Sequence, residues 1–363
     1  MIYTLSSLSS LILYLTAFAV SAYISNTKIQ FVFGKKKMDS VKVFFIIIIP
    51  VIIGGIRYNV GADYLNYYDG YKNLSQIPLK IWAQNFDFFN SDPIGLYIVA
   101  KIAAKFNSSQ LYFGILCLLM YLPIVLSIKK CWNKIDMGLA LFTYLISTYM
   151  VGFNIIKQTI AISFVFYGFR YIFERKPIKY CLTILVAMLF HSTVFVVIPL
   201  YFLWNVSGKV NRIKKILVFI GTVAVIFFAG NVTERMGGKW SILLESQGSS
   251  NIIFFLMLAW LIVFICLRNE LIKIDKRNEF LIIVFAIGVI FQATGFYTLF
   301  AKRLGNYFFV VQIILMAELP EIFNAKSKEL TKLIIITYDV LYLIVCYMFM
   351  NQAVVFPYAV ITK

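Results

Sequence analysis

Residues 178–206, IKYCLTILVAMLFHSTVFVVIPLYFLWNV, decide the architecture of this chain. Read as one helix, the run is a single long membrane span. Read as two, it breaks at His191-Ser192, and each half is only ~20 Å long. Loop charge separates the readings. With a break, the basic clusters at 207–216, 268–277 and 320–332 share one side and hold eleven Lys and Arg, against five in the opposing loops at 231–249, 298–303 and 351–363. Without a break the two sets exchange sides. Cytoplasmic loops carry the excess of Lys and Arg, so the broken reading is favoured and His191 falls at the outer face.

The rest of the chain reads as more spans of the same kind. Of its 363 residues, 61% are hydrophobic and 14% charged, with 35 Phe and 23 Tyr. Soluble domains run nearer ~45–50% apolar and ~25% charged. A soluble domain, a disordered chain and a disulfide-stapled module are thereby excluded. Apolar runs fall at about 2–24, 41–56, 108–128, 137–153, 158–174, 216–230, 250–267, 278–297, 304–319 and 332–350. Most are long enough for a ~30 Å hydrocarbon core. A lipid-exposed backbone must satisfy its own hydrogen bonds, and the alternation of a barrel is absent. The expectation is an all-α polytopic integral membrane protein of about twelve transmembrane helices, one domain over residues 1–363, with both termini outside. The cytoplasmic side then carries 23 basic residues and the outer side eleven. Residues 93–106 start at Asp92-Pro93 and carry Lys101 and Lys105 four apart. That polar stripe predicts a short interfacial helix.

The net charge of +18 is explained by this sidedness and by attraction to anionic lipid headgroups. No nucleic-acid module accompanies it. Cys117, Cys131, Cys181, Cys266 and Cys346 show no CxxC or Cys/His spacing, so neither a zinc site nor a disulfide framework is expected. No cofactor is called for. Lys and Arg are absent before Lys28, so the first apolar run lacks a signal-peptide n-region and is expected to be retained.

Polar residues gather in four places on the outer side. The longest polar segment, 57–93, opens with Gly54-Gly55-Ile56-Arg57-Tyr58-Asn59-Val60-Gly61-Ala62-Asp63-Tyr64 and continues with Asn66-Tyr67-Tyr68-Asp69-Gly70-Tyr71. The glycines at 54 and 55 are expected to allow a tight turn at the membrane exit. Arg57 could grip phosphate oxygens in a fork. Asp63 could accept a hydroxyl proton. Tyr58, Tyr64, Tyr67 and Tyr68 could pack on sugar rings, with Asp69 beside them. The same residues also suit a plain interfacial loop, with Tyr as an aromatic belt and Arg57–Asp63 as an ion pair. Asn154-Ile155-Ile156-Lys157-Gln158 forms a short outer turn, and Lys157 either binds an anion or snorkels to headgroups. His191, the only histidine, could donate to a phosphate or relay a proton if the break opens a wet cavity; as a core residue it would do neither. Lys302-Arg303, followed by Asn306-Tyr307, begins a helix on the same side.

At these residues the chain resembles the EpsG-like branch of the Wzy-type bacterial polysaccharide polymerases. The resemblance rests on Gly-x-Arg-Tyr-x-Val-Gly-x-Asp-Tyr at 55–64, Asn-x-x-Lys-Gln-x-Ile-Ala at 154–161, Phe-His-Ser at 190–192 and Arg-x-x-Asn-Tyr-Phe at 303–308. It runs over roughly residues 40–310. The first block is fairly specific; Phe-His-Ser alone is not. The family commonly has Arg-Gln in the second block. Lys157-Gln158 keeps the charge there and loses the bidentate fork.

The resemblance implies a GT-C-like membrane glycosyltransferase that polymerises O-antigen or capsule repeat units. Donor and acceptor would be oligosaccharides on undecaprenyl pyrophosphate, used at the outer face of the bacterial cytoplasmic membrane. Other polysaccharide assembly proteins are expected partners; nucleic acid is not. Asp63 and His191 would be catalytic. Arg57, Tyr58, Tyr64, Tyr67, Asp69, Asn154, Lys157, Gln158, Arg303 and Tyr307 would bind substrate. A flippase for the same lipid-linked oligosaccharide is the competing reading. It would also need about a dozen helices, but with ionisable groups near the midplane and two related halves.

Overall fold

The computed structural model describes residues 2–204 and 252–361, apart from 29–31, 34–35, 38, 88–90, 133–134 and 295–298, together with residues 213 and 221. The expected span at 216–230 and the loops flanking it lie, but for those two residues, outside the described part.

Helices α1 (Ser7–Asn26) and α2 (Asp39–Ile56) open the fold, with the Ser6 hydroxyl accepting from the Ser9 N–H at 3.1 Å to cap α1. Pro50 lies inside α2 and cannot donate to the carbonyl one turn back. The Ser21 hydroxyl donates to that Ile46 carbonyl at 2.7 Å, tying α1 to the proline turn. Next come α3 (Tyr64–Gln76), α4 (Leu79–Gln84), α5 (Ile94–Ala104) and α6 (Ser109–Cys131). Helix α7 (Met137–Tyr144) starts on Asp136, whose Oδ1 accepts from the Leu139 N–H at 3.0 Å. It passes through a π-helical turn, Leu145–Tyr149, into α8 (Met150–Gly152). Helices α9 (Ile156–Phe173) and α10 (Pro177–Met188) follow.

The 178–206 run does break. After α10 the backbone is extended at His191 (φ −151°, ψ 124°), then continues as a 3₁₀ helix, Ser192–Val197, and α11 (Leu200–Leu203). The last part holds α12 (Ile252–Cys266), bent by 70° into α13 (Arg268–Ile274), then α14 (Asn278–Thr294), α15 (Leu299–Phe309), α16 (Gln312–Glu318) and α17 (Ala325–Tyr342). Helix α17 runs on as a π-helix, Leu343–Phe349.

The chain is an all-α membrane protein, but its helices are cut shorter than the apolar runs suggest. Among the described residues four helices (α1, α2, α6 and Ala325–Phe349) are long and apolar enough to cross a bilayer, and the bent α12–α13 pair makes a fifth. Other apolar helices span 10–17 residues. Run 304–319, for example, is divided between α15 and α16. Helix α5 falls within residues 93–106. It buries Leu96, Tyr97, Val99, Ala100 and Ala103, and Lys101 Nζ donates to the Ser75 carbonyl at 2.8 Å. Part of its polar stripe is therefore spent inside the protein, against α3.

Small strands close the molecule. Strand β1 (Ile2–Thr4) pairs antiparallel with the C-terminal strand Ala359–Ile361, and Arg57 bridges to Val360 in the latter. Both ends of the described chain and the exit of α2 thus share one face. A separate hairpin joins Val32–Phe33 to Lys36–Lys37.

Candidate functional site

The turn after α2 is not made by the glycine pair. Gly54 and Gly55 lie in the last turn of α2, where a Cβ on Gly55 would stand 3.0 Å from Gly114 Cα of α6. They permit close helix packing. The reversal falls instead at Asn59 (φ 51°) and Gly61 (φ 102°), and a Cβ on Gly61 would meet the Phe153 carbonyl oxygen at 2.6 Å. Only glycine suits that backbone and that space. The C-terminal segment straps the turn: the Tyr58, Gly61 and Ala62 N–H groups donate to the carbonyls of Ala359, Val354 and Ala353 at 2.8, 2.8 and 3.1 Å.

Arg57 belongs to this scaffold. Its side chain is 1% exposed. Nε donates to the Val60 carbonyl at 3.1 Å and Nη1 to the Gly54 carbonyl. The guanidinium carbon lies 4.3 Å from the Phe153 ring, 4.8 Å from Phe113 and 5.8 Å from Tyr64. Tyr64 stacks on Phe113 at 4.6 Å and meets Tyr58 edge-on at 5.6 Å. Arg57, Tyr58 and Tyr64 thus form one packed cage. No ion pair joins Arg57 to Asp63, which removes that part of the plain-loop reading.

Asp63 stands at the start of α3, half-buried, without capping it. Its N–H donates to Asn154 Oδ1 at 2.9 Å, and its Oδ1 accepts from Asn66 Nδ2 at 3.1 Å. One turn along, the Tyr67 hydroxyl accepts from the Lys157 N–H at 3.5 Å. Lys157 Nζ lies 3.3 Å from Asp92 Oδ1 and 5.9 Å from the Tyr67 ring. Gln158 Nε2 donates to the Arg303 carbonyl at 2.6 Å, which joins α9 to α15.

His191 completes the set. Its Nδ1 lies 2.9 Å from Thr193 Oγ1 and 3.1 Å from the Tyr307 hydroxyl. Desolvation, with the charges of Lys157 and Arg303 nearby, pushes the imidazole pKa down to about 3. The ring, lying in the break between helices, is therefore neutral near pH 7. The break is held by the Gly95 N–H, which donates to the Leu189 carbonyl at 2.7 Å.

Four contacts between residues 90 to 145 positions apart, Asp63–Asn154, Tyr67–Lys157, Gln158–Arg303 and His191–Tyr307, thus gather one polar cluster, with the charges of Lys157 and Arg303 near His191. Asp69 does not join it. It is exposed and pairs with Lys72 at 4.0 Å, and Lys72 lies 4.3 Å from the Tyr68 ring. Beside the cluster is a cavity of about 270 Å³, walled by Asn154, Lys302, Arg303, Asn306, Gln292 and Gln312 among others. The π-helical turn contributes Ser147 and Thr148, and the C-terminal strap contributes Gln352 and Ala353.

Several of these residues carry little signal in the sequence. Asp92, which the sequence marks only as the start of a helix, is the ion-pair partner of Lys157. Thr193 stands unmarked in the sequence beside His191, whose Nδ1 it contacts. Gln292 and Gln312 were hidden in the apolar runs 278–297 and 304–319; a carboxamide inside a membrane-length run was the available signal.

Fold and cluster together define a multi-helix membrane protein with a polar site beside a cavity lined by cations and carboxamides. The EpsG family matches residues 41–360, and the chain belongs to that family. No curated protein and no solved structure matches it. The family places the chain among polysaccharide polymerase-like membrane proteins.

Proposed function

We propose that the protein is a glycosyltransferase that joins lipid-linked oligosaccharide repeat units into an O-antigen- or capsule-type polymer at the outer face of the bacterial cytoplasmic membrane. About twelve crossings belong to this reading, the shorter apolar helices completing what the long ones begin. One observation carries it: Asp63, Lys157, His191 and Arg303 come from distant parts of the chain into one polar cluster, whose Asn154 and Arg303 continue into the wall of a cavity.

In this reading the acceptor hydroxyl oxygen attacks the anomeric carbon of the donor. The bond from that carbon to the diphosphate oxygen breaks, and undecaprenyl pyrophosphate leaves. Asp63 takes the hydroxyl proton, a role worth about 10²–10⁴ in rate. Arg303 and Lys157 stabilise the charge gathering on the diphosphate. Asp92 positions Lys157 and tempers its charge. The hydroxyls of Thr193 and Tyr307 engage Nδ1 of His191, leaving Nε2 for a phosphate oxygen. Tyr67 and Asn154 frame the Asp63 side. Arg57 supports the turn that presents Asp63.

The test uses purified protein in liposomes supplied with the lipid-linked repeat unit. Formation of longer lipid-linked chains, lost in Asp63→Asn at unchanged protein level, is the expected result. Translocation of the lipid-linked unit without new glycosidic bonds would make the protein a flippase and end this reading.

A further inference from the structure

The cavity wall is graded. Lys302, Arg303, Asn154 and Asn306 are partly open, whereas Gln292 and Gln312, on α14 and α16, are 4% and 3% exposed. Oε1 of Gln312 is buried and has no hydrogen-bond partner. A buried carbonyl left unpaired is costly and rare. Gln312 faces a cavity, so a ligand hydroxyl can supply the missing donor. Neither Lys302 nor Arg303 has a carboxylate within 4.0 Å among the described residues. Positive charge toward the opening and neutral carboxamides within suit a molecule with an anionic part outside and a hydroxylated part inside.

We infer that Gln312, with Gln292 and Asn306, forms a sugar subsite. It reads the hydroxyls of the sugar directly attached to the lipid diphosphate, while Arg303 and Lys302 hold the diphosphate itself. Size agrees. At about 270 Å³ the cavity falls just below the ~300–1,000 Å³ of sites for drug-sized ligands. It accommodates one sugar ring, not a whole repeat unit. A carboxamide offers an acceptor and two donors in one plane, so it can distinguish the orientation of neighbouring hydroxyls. A site that pairs buried polar groups with a ligand hydroxyl penalises an analogue lacking it. The subsite is therefore specificity-determining. This inference rests on the proposed use of lipid-linked glycans.

The experiment measures binding to the purified full-length protein in detergent. The probes are undecaprenyl pyrophosphate and the same lipid carrying one glucose, galactose, N-acetylglucosamine or N-acetylgalactosamine. At least one glycosylated lipid should bind about tenfold or more tighter than the bare lipid, roughly the worth of one or two net hydrogen bonds. Gln312→Ala should erase that increment and keep the affinity for the bare lipid. Arg303→Ala should weaken all five probes alike. Gln292→Ala and Asn306→Ala serve the same purpose should Gln312→Ala fail to fold, which its melting curve reports. Equal binding of bare and glycosylated lipids, or an increment that survives the carboxamide variants, overturns the subsite and leaves the polymerase reading standing. If no lipid diphosphate binds the wild-type protein at all, the polymerase reading falls, and the subsite with it.

Discussion

Arg57→Lys separates a scaffold from a ligand. The sequence offers Arg57 as a phosphate fork, whereas the structure closes it within Phe113, Phe153 and Tyr64 and spends Nε and Nη1 on the carbonyls of Val60 and Gly54. Lysine keeps the charge but offers one compact head group in place of a rigid fork. It can reach one of the two carbonyls, and losing the other forfeits about 1.5–3 kcal/mol, as for hydrogen bonds to charged groups. Weaker contact with the aromatic faces removes about 0.5–2 kcal/mol more. The sum, about 2–5 kcal/mol, is a large share of the ~5–15 kcal/mol that keeps a domain folded. Denaturant or thermal unfolding in detergent should show that loss. Binding of undecaprenyl pyrophosphate, measured where the variant is still folded, should fall little. A variant as stable as wild type that no longer binds the lipid diphosphate would refute the cage and restore Arg57 as a phosphate ligand.

Further expectations concern the turn, the ion pair and the histidine. Gly61→Ala forces a Cβ into a φ of 102° and to 2.6 Å from the Phe153 carbonyl oxygen; it should cost about 1–2 kcal/mol or more of stability and depress polymer formation by displacing Asp63, read as shorter chains on a gel. The Lys157–Asp92 pair is about one-third exposed on each side, so a double-mutant cycle with Lys157→Met and Asp92→Asn should yield a stability coupling of only about 0.2–1 kcal/mol. A coupling several times larger would mean a buried, structural pair. His191 has its folded pKa depressed from 6.5 to about 3. The unfolded chain therefore binds the extra proton, and the stability contribution is full above pH 6.5 and shrinks as pH falls toward 3. Unfolding curves of wild type and His191→Gln should diverge through that acid window, and parallel pH dependence of the two would contradict the assigned neutrality.

The alphabet of this site was open to inspection in the sequence because polar residues are conspicuous in an apolar chain. Asp63, Lys157, His191 and Arg303 each interrupt or border a run, and their company with Asn154, Gln158 and Tyr307 is what the structure assembles. Loop charge also located the break at His191, because a change in the number of crossings inverts every later loop. Composition fixed the helical class, since lipid gives an exposed backbone no other partner.

Which side chains face the cavity and which brace it was decided by tertiary packing. Arg57 and Arg303 look alike in sequence, yet one is enclosed by rings contributed from α3, α6 and the segment after α8, while the other lies on the wall of an opening. Helix length followed the same rule: runs of uniform hydropathy carry no mark of where a neighbour cuts them, as at the division between α15 and α16. The strap from residues 353–359 onto the turn at 58–62 was equally invisible, because backbone hydrogen bonds between segments far apart in sequence leave no trace in side-chain identity.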